Sequence, residues 1–529
     1  MLTSLILLTL IVAGGLPLTY LVAKEGSLLW RLAAGSVVGS AIFGLVGFVL
    51  ACVAEFSPVT ILIAFAVTMA PLALLRRREI RSALLSDWAK AKGKLQGGNI
   101  KKFRAFAYYA FFFVLLWLFF AQAMYELKDG IYTGGSNNLG DLPFHLGAIF
   151  GFTDGNNFPP QNPSWAGARF SYPFIADFIT ACFVKLGVDV KDAIFALDVT
   201  WAFALLVILE RFVVKLTGSK LAGRLAPGLL FFSGGLGFIW FLGDWSASGM
   251  GLFDFLWHLP KDYTIGDQFR WGNSLVVLFL TQRSLLLGMP LTVLVLGWLW
   301  KIFATEGTEK EFNRDGQDKK DVKGLIRNLS TFIPFLVGLL AGTLPLIHLH
   351  SLAVLFVVTA LLFALRPAKW REWIGFGVGV AVIAVPELIW TMSGSATETA
   401  KFFDWHFGWD KGDTNILSFW LKNTGIVIPA LIVGIHLLFS PLGRKGGAKT
   451  NVEESKPKIS NLLLFYIPFV LLFLISNVAK LAPWEWDNIK ILIYWYVGSL
   501  PLIALALVWA WERQIAGKIV AALCFIVLI

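Results

Sequence analysis

From Leu2 to Ala23 the sequence runs without a charged side chain. A helix needs about 20 apolar residues to cross a bilayer, and inside hydrocarbon a backbone must satisfy its own N–H and C=O groups, as a helix does. The run is therefore read as a membrane span. It has no basic n-region, so it is expected to be retained rather than cleaved as a signal. Comparable runs follow at Leu28–Ala54, Val59–Leu75, Ala105–Glu126, Ala193–Val214, Leu225–Leu242, Arg283–Phe303, Thr331–Ile347, Leu352–Leu365, Ile374–Ile389, Ile426–Phe439, Leu462–Val478, Ile491–Trp511 and Ile519–Ile529. The expectation is an all-α chain, a polytopic transmembrane helical bundle of roughly 14 spans. Composition agrees: 57% of residues are hydrophobic and 15% charged, against about a quarter charged in soluble domains. Cys52, Cys182 and Cys524 sit far apart in apolar runs, which argues against disulfides and metal sites.

Charge gives the spans a direction. Arg76 to Arg104 carries ten Lys and Arg against only Glu79 and Asp87, and by the positive-inside rule this loop is cytoplasmic. The same rule, rather than a nucleic-acid surface, accounts for the net charge of +11. Residues 1–104 then form three spans and a basic cytoplasmic loop, and 105–529 the remaining transmembrane domain. Alternation puts Glu306–Lys323 and Arg444–Lys458 inside, and loops 127–192, 243–282, 393–420 and 480–490 outside. Tyr172–Leu186 is short for a span and bears Asp177 and Lys185. If it crossed, the basic run Lys215–Arg224 would fall outside, so it is expected to lie in the outer interface or dip partway in. Gly375, Gly377 and Gly379, inside an apolar run, suggest close helix packing rather than a nucleotide loop.

On this topology His145, His258, His348, His350 and His406 collect at the outer side, with tryptophan-rich acidic pieces such as PWEWD and DWHFGWD. A pump or channel more often lines a path through the membrane with its ionisable groups. The distribution favours a site at the outer interface. Within the polar stretch Gly134–Asp177, Asp141 and His145 stand four apart and share a helix face. That pair suits acid–base work, while Asp141 as an N-cap ahead of Pro143 and His145 as an interfacial polar residue remain open. His348 and His350, two apart, cannot share a face, so one of them is structural. Arg283 and Lys490 begin spans at their outer ends, where each either snorkels to headgroups or meets an anionic phosphate. Glu387, Asp177 and Asp198 lie in apolar surroundings, costly for a carboxylate without a partner.

These residues resemble the GT-C superfamily of polytopic membrane glycosyltransferases. The features are a span followed by a large outer loop with an acid near its start (GDLPFH), then a helix after Tyr172-Pro173. The pieces GNNFPP, YPFIADF, TQRSLLLGMP and APWEWDNIKILIYWY are similar to an uncharacterised bacterial group of such proteins. The sequence departs from the pattern in having a single acid, Asp141, and three spans ahead of the expected first one. The resemblance implies transfer of a sugar from a polyprenyl-phosphate donor to a glycan, lipid or protein acceptor at the outer face of the cell envelope membrane, with inversion. Asp141 would be the general base and His145 its support. Arg283, Lys490 and His348 would hold the donor phosphate, and Tyr172, Trp484, Trp486 and Asp487 would contact substrate. No cofactor, metal or nucleic-acid partner is implied, although a divalent ion between Asp141 and a second outer carboxylate stays open. The alternative is a transporter or flippase of a lipid-linked or anionic solute. Against it stand the long acid-bearing loops and the lack of any visible pair of broken helices. A scaffold subunit of an envelope complex is a third class.

Overall fold

The computed structural model describes residues 1–23, 25–96, 100–266, 269–304, 320–393, 403–439 and 459–529. The basic loops Glu306–Lys323 and Arg444–Lys458 lie outside the described residues, apart from the helical turn at 320–323. In chain order the helices are α1 Leu2–Val22, α2 Leu28–Val53, α3 Pro58–Met69, α4 Arg78–Gln96, α5 Ile100–Phe120, α6 Asn138–Thr153, α7 Ile175–Lys185, α8 Val190–Thr217, α9 Lys220–Phe232 and α10 Gly237–Ser248. They continue with α11 Leu252–Trp257, α12 Arg283–Ala304, α13 Lys320–Gly342, α14 Leu344–Leu365, α15 Trp370–Met392, α16 Ile416–Thr424, α17 Val427–Phe439, α18 Ile459–Ser476, α19 Ile489–Trp511 and α20 Ile515–Leu528. Among the described residues four short strands form two ribbons: β1 Tyr125–Leu127 with β2 Gly130–Tyr132, and β3 Asp404–Trp405 with β4 Ala479–Lys480.

The chain is an integral, multi-pass membrane protein. Among the described residues nine helices are long and apolar enough to cross a bilayer, and eleven spans result if each of two bent pairs counts as one. The other spans expected from sequence appear as shorter apolar helices, Thr331–Gly342, Asn461–Ser476 and Ile515–Leu528. The bent pairs are α9 with α10, at 59°, and α16 with α17, at 88°. Each is a broken span or a re-entrant loop, a feature the sequence did not reveal. Gly235 and Gly425 at the two breaks have positive φ, the conformation glycine adopts without penalty.

The residues divide into two compact units. Unit 1 holds Met1–Ile208, Phe279–Leu355 and Arg366–Thr399. Ser27 and Ser57 cap α2 and α3, their side chains accepting the Trp30 and Thr60 N–H groups. The α1–α2 crossing depends on small residues: a Cβ on Gly15 would stand 2.0 Å from the Gly35 carbonyl oxygen. The α13–α15 crossing is built the same way, since a Cβ on Gly379 would stand 2.2 Å from the Phe335 oxygen. Of the glycines flagged in the sequence, Gly375 and Gly379 pack helices closely, whereas Gly377 is exposed and a Cβ there would meet nothing within 4 Å. Helix α7 corresponds to the element expected in the outer interface, yet every residue from Ile175 to Phe183 is buried. It packs against α2, α3, α6 and α12, so protein rather than lipid surrounds it.

Unit 2 holds Leu209–Leu278, Phe356–Leu365 and Ala400–Ile529. Its axis is α19, whose apolar window is 94% buried among α9, α17, α18 and α20. The two helix breaks meet, with the Leu236 N–H donating to the Lys422 carbonyl at 2.8 Å. Trp271 fills the space beside them, in edge contact with Trp409, Trp420, Trp495 and Tyr496.

Candidate functional site

Helix α6 begins at Asn138, ahead of the start that Asp141 as a cap would set. Asn138 is buried and its amide donates to the Ala123 carbonyl and the Thr133 hydroxyl, at 3.2 and 3.1 Å. This anchor extends the helix backwards and moves Asp141 into its first turn, so the capping reading does not hold. Asp141 is half-buried. Two other acids of loop 127–192 have local roles: Asp129 accepts from the Tyr132 hydroxyl at 2.8 Å, and Asp154 is the residue that ends α6.

One turn after Asp141, His145 points into unit 1 and is 2% exposed. Its Nδ1 lies 2.8 Å from Asp177 Oδ2 and its Nε2 3.0 Å from the Thr281 carbonyl oxygen. A carboxylate and a carbonyl only accept, so both ring nitrogens must donate and the ring is an imidazolium. Burial opposes that charge, but the charge and hydrogen bond of Asp177 outweigh it, and the pKa of His145 is raised. Arg283, also 2% exposed, completes the cluster. Its Nη1 donates to Asp177 Oδ1 at 3.0 Å, Nη2 to the Thr180 hydroxyl at 2.9 Å, and Nε to Asp198 Oδ1 at 3.0 Å. Two cations and two carboxylates therefore balance, which is how buried charge is tolerated. The partners expected of Asp177 and Asp198 are these.

The cluster corrects two sequence expectations. Arg283 was to face an outer cavity and hold a phosphate, but all three of its nitrogens are engaged inside unit 1. His145 was to assist a base, but neither of its ring nitrogens is open to Asp141. Its role is positional: it ties α6 to α7 and to the segment before α12. Tyr172 joins this wall, its ring in edge contact with Phe144 and 6.4 Å from His145. His348, the lesser phosphate candidate, sits at a non-helical kink of α14 (φ −161°, ψ 97°). It is buried, with Nδ1 2.7 Å from the Ser351 hydroxyl, and a Cβ on Gly288 would fall 2.6 Å from its own Cβ. At this kink the ring centroids of His348 and His350 lie 5.5 Å apart, side by side as a continuous helix would not place residues two apart.

Unit 2 carries a separate feature, a cavity of about 360 Å³ lined by Arg270, Asp410, Trp484, Glu485, Trp486 and Asp487. It forms where the chain turns from β4 into α19. Asn488 is buried and closes that turn, accepting from Leu481 N–H and donating to the Ser476 and Ala479 carbonyls. Trp486 donates its indole N–H to the Arg270 carbonyl at 2.9 Å, while Trp484 is 71% exposed. Each carboxylate of the lining has a cation: Asp410 pairs with Arg270, Asp487 with Lys490 at 3.1 Å, and Glu485 with Lys480 at 3.8 Å. Three of the four residues expected to contact substrate thus share one cavity, with Lys490 behind it. Arg270, Asp410 and Glu485 were not singled out for this role. The only signal for them was the aromatic residue next to each acid or base: Arg270-Trp271, Trp409-Asp410 and Glu485-Trp486.

Among the described residues no group of three or more His, Cys, Asp or Glu is placed to hold a metal ion. Comparison of the chain with family models, with curated proteins and with solved structures finds no match.

Proposed function

We propose that the chain is a membrane glycosyltransferase. It would move a sugar from a polyprenyl-phosphate donor to an acceptor at the extracytoplasmic face, with inversion and with Asp141 as general base. The observation that carries this reading is the cavity of unit 2. An exposed indole face suits the C–H face of a sugar ring, and carboxylates suit its hydroxyl hydrogens. Because every carboxylate there is paired, Asp410 within the lining and Asp487 and Glu485 with Lys490 and Lys480 behind it, the site offers acceptors whose charge is balanced, which fits an uncharged sugar. Its volume lies within the usual range for small-ligand sites, roughly 300–1,000 Å³. A donor already activated by a lipid phosphate needs no nucleotide-binding fold. The protein's part is to orient the reactants and take the acceptor's proton. Asp141 suits the proton transfer, being half-buried on a helix that the His145 cluster fixes from beneath. The test is transfer from a radiolabelled polyprenyl-phosphate hexose by purified protein. Trp484→Ala is expected to raise KM and Asp141→Asn to lower kcat; unaltered turnover in both would sink the reading.

A second reading, transport or flipping of a lipid-linked solute, is favoured by the two bent helix pairs of unit 2. Transporters place solute sites at such breaks. Proteoliposomes that move a fluorescent polyprenyl-phosphate sugar between leaflets without breaking its glycosidic bond would support this reading over transfer.

A further inference from the structure

Helix α4 has three unlike faces, and only one of them is explained by packing. The first meets unit 1: Ile80 is buried, and Asp87 accepts from Arg31 Nε at 2.9 Å and from the Tyr20 hydroxyl at 3.3 Å. Arg31 is itself locked, donating to the Thr19 and Ala23 carbonyls and stacking on Tyr20. Because α1, α2 and α3 pack against one another as successive hairpin arms, the end of α1, the start of α2 and the end of α3 lie on one side. Helix α4 starts just after the turn Ala70–Arg76 that ends the third arm, and by Asp87 it has reached Tyr20 and Arg31. It therefore runs across the ends of the arms, along the boundary of the membrane rather than into it.

The second face is Arg78, Arg81, Leu85, Trp88 and Lys92, spaced three and four apart and all exposed. Leu85 is 61% and Trp88 63% exposed. The third is Glu79, Ser82, Ser86, Lys90 and Gly93, also exposed, its one cation offset by Glu79, and without a large apolar residue. At 3.6 residues per turn the second face is centred about a third of a turn from the docked one, and the third face lies on the other flank. A solvated basic helix would have no reason to gather its tryptophan and leucine between its arginines and lysine. An interfacial helix does, with apolar groups sunk to the acyl boundary and cations reaching the phosphates.

We propose that this second face rests on the headgroup layer of the adjoining leaflet and binds anionic phospholipid, leaving the serine face to water. The basic residues Arg76, Arg77, Arg78, Arg81 and Lys92 are all exposed, and Glu79, on the third face, is the one exposed acid of this segment, since Asp87 is held by Arg31. That sign fits phosphatidylglycerol-like lipids.

The test uses the full chain with Cys52, Cys182 and Cys524 replaced by alanine, spin-labelled one position at a time at residues 82, 85, 86 and 88. It is placed in nanodiscs of phosphatidylcholine with or without phosphatidylglycerol. Labels at 85 and 88 should be reached mainly by oxygen, and those at 82 and 86 mainly by a water-soluble nickel chelate. Equal access of the chelate to all four would overturn the interfacial placement. Phosphatidylglycerol should deepen the labels at 85 and 88, and R81Q/K92Q should abolish that response; depth indifferent to lipid charge would overturn the anionic partner. As a check that needs no cysteine replacement, native mass spectrometry of the otherwise unaltered chain should show fewer retained phosphatidylglycerol molecules on R81Q/K92Q. Equal retention would count against the proposal.

Discussion

Replacing Arg283 by methionine removes the one cation that Asp198 touches in the buried cluster and one of the two that Asp177 touches. The side chain is 2% exposed, as are its partners within a percent, so water cannot take over its bonds. Removing one member of a buried pair typically costs about 3–5 kcal/mol, because the other charge stays behind unpaired. Arg283→Met should fall in that range. In Arg283→Met/Asp198→Leu the orphaned carboxylate is gone, and His145 with Asp177 still forms a balanced pair. The double variant should therefore be more stable than Arg283→Met alone, by roughly 3–5 kcal/mol if it returns to the wild-type level, since well-packed apolar replacements of buried ion pairs are often neutral or better. Equilibrium unfolding of purified protein in mixed micelles, with rising fractions of dodecyl sulfate, measures both. Costs that simply add, or an Arg283→Met cost under about 1 kcal/mol, would refute the closed-cluster account. A variant that unfolds like wild type yet loses donor binding would return Arg283 to the phosphate role the sequence suggested.

Asp141→Asn should lower kcat by about 10²–10⁴-fold at unchanged protein level, while Asp129→Asn and Asp154→Asn stay near wild type; activity kept in the first and lost in either of the others moves the base. Trp484→Ala should weaken sugar binding by up to about tenfold, the upper end of an aromatic stacking contribution, and isothermal titration with a methyl hexoside reads it. Asn488→Ala orphans the buried Ser476 and Ala479 carbonyls and should cost about 1–3 kcal/mol, with Trp484-dependent binding lost as the turn opens. A cysteine at Ser136 should react with an impermeant maleimide added outside intact cells, and one at Lys92 only after permeabilisation; the reverse pattern would invert the assigned topology.

Much of the architecture can be read along the chain because a span is a local property: its length and lack of charge are set by the solvent it crosses. Leu2–Val22 and Arg283–Ala304 could hardly be anything else. The bends were hidden because each is stabilised across sequence, the Leu236 N–H finding its acceptor at Lys422. Arg283 shows the same limit at a single side chain. Its charge and its place at a helix start are visible, but its partners lie 85 and 106 residues away, and they decide between core brace and phosphate clamp. Pro143, two residues after Asp141, makes that acid look like a cap. The buried Asn138, with bonds to Ala123 and Thr133, moves the helix start instead. That Trp484, Trp486 and Asp487 line one cavity was legible, because they are close neighbours in one turn and their convergence is local.

The balanced cluster in unit 1 has a consequence for how the protein responds to an energised membrane. A membrane potential acts on net charge, at about 2.3 kcal/mol per elementary charge for each 100 mV crossed. Arg283, His145, Asp177 and Asp198 together present none, so the field exerts no net pull on the group and can act only on its dipole. Breaking the balance at one residue would leave an unmatched charge, and with it a dependence on voltage that the wild-type arrangement lacks. Electroneutrality here does more than make burial tolerable: it leaves the cluster that anchors α6 with no net charge for a membrane potential to pull on.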